Sequence, residues 1–180
     1  MAGGFRPTQD ISGNDYVGKV QTYYVESSHA TLLAIGDLVV ETGNTDSNGI
    51  ATVDAASAGG LITGAIVAVN YNPSNLEQAG LPASTAGYVE VAVDPNTIFE
   101  AYVNASGITA ADVGANADIV ATAATLTGGL AYSNMVINGA SYASGTAQIR
   151  IVGLVDGATG AGAKVYCRIN ESTVKGVVGV

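Results

Sequence analysis

The side chains that could carry chemistry are few, and they stand apart. The single histidine, His29, lies in Ser27-Ser28-His29-Ala30-Thr31 and would have to be the base of any Ser/His/acid arrangement. No Gly-x-Ser-x-Gly elbow surrounds a serine, so His29 reads as a loop or turn residue. Asn44-Thr45-Asp46-Ser47-Asn48-Gly49 has oxygen side chains at alternating positions before a glycine, as in the first half of a calcium loop. Counted from Asn44, however, the twelfth position is Ala55, where a bidentate glutamate is needed, and a hairpin turn is the better reading. Glu90 and Glu100 fall on neighbouring strands and could face each other. A sugar site would also need stacking aromatics, and the chain has no Trp and only two Phe. There is no Gly-x-x-x-x-Gly-Lys phosphate loop. Asn104-Ala105-Ser106 and Asn170-Glu171-Ser172 match the glycosylation pattern by chance, given no leader. The lone Cys167 alternates with Val165 and Ile169 and reads as a core residue on a strand. These residues predict no enzyme, no metal and no cofactor, and point instead to a structural protein.

Charge narrows the partners. No lysine or arginine lies between Lys19 and Arg150, a stretch that holds eleven acids, and the net charge is -9. Nucleic-acid binding depends on clustered cations, so nucleic acid is not expected as a partner, nor is an anionic membrane. The N-terminus has no apolar leader segment and no apolar run approaches the roughly 20 residues of a membrane span, so a soluble protein made in a cytoplasm is expected.

The 180 residues suit one domain with an appended arm. Hydrophobic residues make up 48% and charged residues 12%, with 24 glycines, and Ala and Val dominate the apolar set. This composition favours short strands and tight turns over helices. Residues 1–15 read as an extended N-terminal arm and residues 16–180 as the body. Strands are expected from Tyr16 to Val25, at Leu38–Thr42, Ile50–Val53, Leu61–Val69, Tyr88–Val93, Ile98–Val103, Thr146–Val155 and Ala163–Ile169, with weaker signals at Asp118–Ala121 and Ala131–Val136. Gly64 marks a bulge or bend, Asn48-Gly49 a turn, and Thr109–Gly114 a single helical turn. Asn70–Ala86 is a long loop with Pro73 and Pro82. The pattern predicts an all-β sandwich or barrel.

Several segments occur in a telling order. Asn72-Pro73 leads to Leu81-Pro82-Ala83-Ser84-Thr85-Ala86-Gly87-Tyr88-Val89, then Val93-Asp94-Pro95 and Phe99-Glu100. Ala111-Asp112-Val113-Gly114-Ala115-Asn116-Ala117-Asp118, Gln148-Ile149-Arg150-Ile151-Val152-Gly153-Leu154, Ala163-Lys164-Val165 and Ile169-Asn170 follow. This order resembles the head decoration, or capsid cement, proteins of tailed bacteriophages over roughly residues 60 to 170. That family usually carries a charged residue before the Tyr-Val-x-Val strand, where this chain has Gly87. The resemblance implies a β-rich, often jelly-roll-like structural protein on the outer surface of the capsid of a virion. It implies binding to the major capsid protein and self-assembly, with a trimer favoured over a dimer. Phe5, Arg6, Pro7 and Lys19 are the candidate capsid contacts, and Asn72, Pro73, Pro82 and Tyr88 the candidate loop contacts. The competing expectation is a host- or glycan-binding surface module that uses the same loop and the tyrosines. The chain's two ends should supply the shell contact, while the acidic middle faces solvent or sibling subunits.

Overall fold

A computed structural model describes residues 3–70, 79–143 and 145–174. In chain order the strands begin with β1 (Arg6–Asp10), β2 (Val20–Val25), β3 (Leu38–Thr45), β4 (Ala51–Ala55), β5 (Gly64–Val69), β6 (Gly87–Ala92) and β7 (Thr97–Tyr102). They continue with β8 (Asn116–Ala117), β9 (Ile119–Val120), β10 (Thr125–Thr127), β11 (Leu130–Tyr132), β12 (Val136–Ile137), β13 (Ile149–Leu154) and β14 (Lys164–Ile169). The only helical pieces among the described residues are two 3-10 turns, Ala110–Asp112 and Val155–Gly157. The protein is all-β.

Five strands close into a barrel in the order β2-β4-β3-β5-β6. Alternation explains its interior: Tyr23 and Val25 of β2, Val39 of β3, Val53 of β4, Ile66 of β5, and Val89 and Val91 of β6 form one cluster. The Tyr23 ring is buried, and its hydroxyl donates to Glu41 Oε1 at 3.0 Å. Burial pushes that phenol well above its ordinary range. β2 runs parallel to β4 through Tyr24 and Thr52, while the other neighbouring pairs are antiparallel.

The β3–β4 hairpin turns as the sequence suggests. Only Gly49 adopts a positive φ, at 82°, and Asn48 does not. Asp46 Oδ1 accepts the Asn48 and Ile50 N–H groups at 2.8 Å each, which holds the turn from within. Gly64 is not the bulge: the register slips between Ile66 and Ala68. Gly64 instead lets β5 lie against Ala92, whose carbonyl oxygen a Cβ would strike.

The second layer is a five-stranded sheet, β1-β7-β14-β13-β8. Its inward residues include Phe99, Ala101, Ile149, Ile151, Val165, Cys167 and Ile169. They pack in one cluster with Leu38, Ile62, Ala65 and Ala92 from the barrel side, so the two layers share a core. Gln148 ties them further. Its carbonyl accepts from Gly59 and Ile119 N–H groups, and its amide donates to the Ser57 and Gly60 carbonyls. This side chain is fully buried, and all its polar capacity is matched.

The N-terminal segment departs from the arm reading. Residues 6–10 are the edge strand β1, paired antiparallel with β7, and Phe5 is 1% exposed in the shared core. The Phe5 N–H also donates to the Gly36 carbonyl. The Gly- and Pro-rich composition concealed a strand whose partner lies about ninety residues away. Deleting residues 1–15 would remove a strand and a core aromatic. Both sheet edges are covered. Asn14–Tyr16 folds back on β1, where Tyr16 N–H donates to Thr8, and Asn116 exchanges hydrogen bonds with Ala143 beyond β8.

Candidate functional site

The outward face of the five-stranded sheet gathers the cations. In β14, Val165, Cys167 and Ile169 point inward, so Lys164, Tyr166 and Arg168 point outward. Arg150 lies directly across from Arg168, and Glu100 pairs with both Arg6 and Tyr166. Lys164 is opposite Tyr102. Arg6, Arg150, Lys164 and Arg168 thus share one face with Tyr102 and Tyr166, and Glu100 is the acid among them. Lys164 forms an ion pair with Glu100, which holds its ammonium above the ordinary lysine range, and lies 5.2 Å from the Tyr102 ring centre. Val152, at the register slip in β13, adds an exposed apolar group.

Four residues expected at a capsid contact separate in the structure. Arg6 is exposed on this face. Phe5 is committed to the core and cannot meet a partner. Pro7, opposite the inward Phe99, lines an open groove of about 340 Å³ with Tyr16, Ile35 and Val67. Lys19 is held at 2.8 Å by Asp94, which raises its affinity for a proton, in a cleft that also contains Asp10 and Asp15. Arg150, Lys164 and Arg168 join this face without any motif in the sequence that marks them. Their parity was readable in the strand pattern; their alignment with Arg6 was not.

The loop set lies elsewhere. Pro82 is half-buried in the segment where Leu81 bridges to Leu33. Tyr88 packs its ring 5.3 Å from that of Tyr24, and its hydroxyl donates to Asp46 Oδ2 at 2.8 Å. Asn72 and Pro73 lie outside the described residues. At Gly87, the first residue of β6, a Cβ would stand 2.7 Å from Leu81 Cδ1.

The remaining chemical candidates are occupied by structure. His29 is buried with Nδ1 2.8 Å from the Glu26 carbonyl, and no serine hydroxyl among the described residues bonds to it. The Ser28 hydroxyl donates to Glu26 instead. Both Asp46 oxygens accept hydrogen bonds, Oδ1 from the turn backbone and Oδ2 from Tyr88. Glu90 is in the barrel and Glu100 in the sheet, so they do not pair. No group of three or more His, Cys, Asp or Glu among the described residues is arranged to hold a metal. Burial pushes the Cys167 thiol far above its ordinary range. No described helix is long and apolar enough to cross a membrane. The chain matches no family model, no curated protein and no solved structure.

Proposed function

We propose that this protein is a structural virion component, a decoration protein that binds the outer surface of an icosahedral phage head and stabilises it. The observation that carries this reading is the separation of charge between two faces of one body. The outward face of the five-stranded sheet bears Arg6, Arg150, Lys164 and Arg168, while the barrel strands carry Glu41, Asp54 and Glu90 and no lysine or arginine. A body polarised in this way docks in one orientation, cationic face toward an acidic shell. Both chain ends contribute strands to that face, β1 from one and β13 and β14 from the other. The turn-and-strand order that resembles the cement proteins supports the same reading.

Self-association belongs to a different surface. No charged residue occurs from Ile119 to Ile149. Within that stretch the β10–β11 ribbon exposes Leu126 on one face and Leu130 and Tyr132 on the other. A neutral apolar ribbon is where copies of a protein with net charge -9 meet with least repulsion.

The test mixes purified protein with undecorated heads. Saturable, stoichiometric binding and a raised disruption temperature are expected, and absence of binding sinks the proposal. Charge reversal at Arg6, Arg150 and Arg168 should abolish attachment, whereas Glu41→Lys and Glu90→Lys on the barrel should leave it intact. The competing reading, a glycan- or host-binding module that uses the loop at 70–86 and the tyrosines, is separated from this one by a glycan array.

A further inference from the structure

We infer that Arg150 and Arg168 form a clamp for a carboxylate, supplied by an acidic side chain of the partner surface; the partner's identity rests on the attachment reading above. The two arginines are direct cross-strand partners on adjacent antiparallel strands. Side chains so placed lie about 5 Å apart at Cβ, where like charges destabilise the sheet. Nothing within the described residues relieves this. Neither guanidinium forms an ion pair or donates a hydrogen bond to another described group.

The lysines behave differently. Lys19 is paired with Asp94 and Lys164 with Glu100. The described chain therefore neutralises its lysines internally and leaves its arginines unmet. Each guanidinium offers five N–H donors in a planar fork that matches a carboxylate in two-point contact. Two forks side by side make a receptor for one carboxylate or a close pair.

The surroundings favour such a ligand. Asn116 continues the row beyond Arg150 and is held by the Gly145 carbonyl, so one wall is fixed. Tyr166 lies two residues from Arg168 on the same face, and the exposed Val152 offers an apolar rim. A discrete carboxylate reaches this spot without approaching the acidic barrel. A long phosphate chain would extend across a molecule of net charge -9 and be repelled by it.

The test compares the intact protein with Arg150→Gln and Arg168→Gln by thermal melting at low ionic strength. Glutarate serves as the carboxylate probe, with sodium chloride at matched ionic strength as control. Each variant should melt higher than the parent in low salt, because the repulsion is gone. Glutarate should stabilise the parent more than chloride does, and neither variant should show that difference. On undecorated heads each variant should bind roughly tenfold more weakly, the loss of one charge-assisted contact. If glutarate and chloride act alike on the parent, or if the variants melt lower in low salt, the clamp is overturned even though heads still bind. A glutarate effect in a protein that ignores heads keeps the clamp and overturns the attachment reading. A single-stranded oligonucleotide that binds more tightly than glutarate, with binding lost in Arg150→Gln, overturns the carboxylate assignment.

Discussion

The barrel and the five-stranded sheet are built by the same rule and finished differently. Both alternate inward and outward side chains along each strand, and both contribute to one core through Leu38, Ala65 and Ala92 on one side and Phe99, Ile151 and Cys167 on the other. Their outward residues diverge. The described span from Val20 to Ala92 presents Glu26, Glu41, Asp46, Asp54 and Glu90 with no lysine or arginine, while the sheet strands hold four such cations against Asp10 and Glu100. Packing constrains only the inward set, so a common core can carry two surfaces of opposite sign. The distinction is a surface property laid over a shared interior, and perturbations should sort accordingly.

Phe5 gives the largest expected effect, because it belongs to both regions at once. Phe5→Ala empties a core site between β1 and the barrel loop at Gly36 and should cost about 3–5 kcal/mol of stability. Denaturant unfolding monitors it, and a loss confined to the sheet would break the shared-core description. Gln148→Leu comes next. It leaves the Ser57, Gly60, Gly59 and Ile119 backbone groups unmatched and should cost about 2–3 kcal/mol, while the inward apolar set stays in place.

How much of this could be read from the chain depends on distance along it. The β14 alternation was plain, as were the β6 valines and the turn between β3 and β4, because period and turn chemistry are local signals. Phe5 looked like part of a loose end, since its partners Gly36 and the β7 strand are far away in sequence. Gln148 followed outward parity on β13 yet is fully buried, because the 57–60 loop folds over it. The parallel pairing of β2 with β4 had no local signature. The cationic face needed two facts at once: parity, which was legible, and the β1-β7-β14-β13 strand order, which was not.

Asp37 sharpens the comparison by pH. It is 1% exposed and accepts the Ala34 N–H at 2.8 Å. Burial raises its carboxyl above the usual value of 3.8, with the Ser133 hydroxyl and the Ala34 amide pulling the other way. A raised folded-state value means that the native state holds the proton longer than the unfolded chain. Stability from this group therefore falls as pH rises from 3.8 through the raised value, and the penalty is full above it. Asp37→Asn should flatten melting temperature against pH in that window. An unchanged profile would move the acid sensitivity of the barrel elsewhere. The smallest effect is expected at Lys164→Met, whose ion pair is solvent-facing: melting should barely move, while attachment to heads weakens slightly.

The covered strand edges bear on how many copies can be crowded together. The barrel closes through the single Tyr24–Thr52 pairing of β2 with β4, so neither strand is a full open edge. In the sheet, the Asn14–Tyr16 fold-back and Ala143 occupy the two places where another chain would add a strand, and Pro7 withholds a donor from β1. Exposed edges are the usual route by which β proteins polymerise into insoluble fibrils. The barrel and the five-stranded sheet therefore give little purchase for fibril growth, and contact between crowded copies is left to side chains such as those of the β10–β11 ribbon.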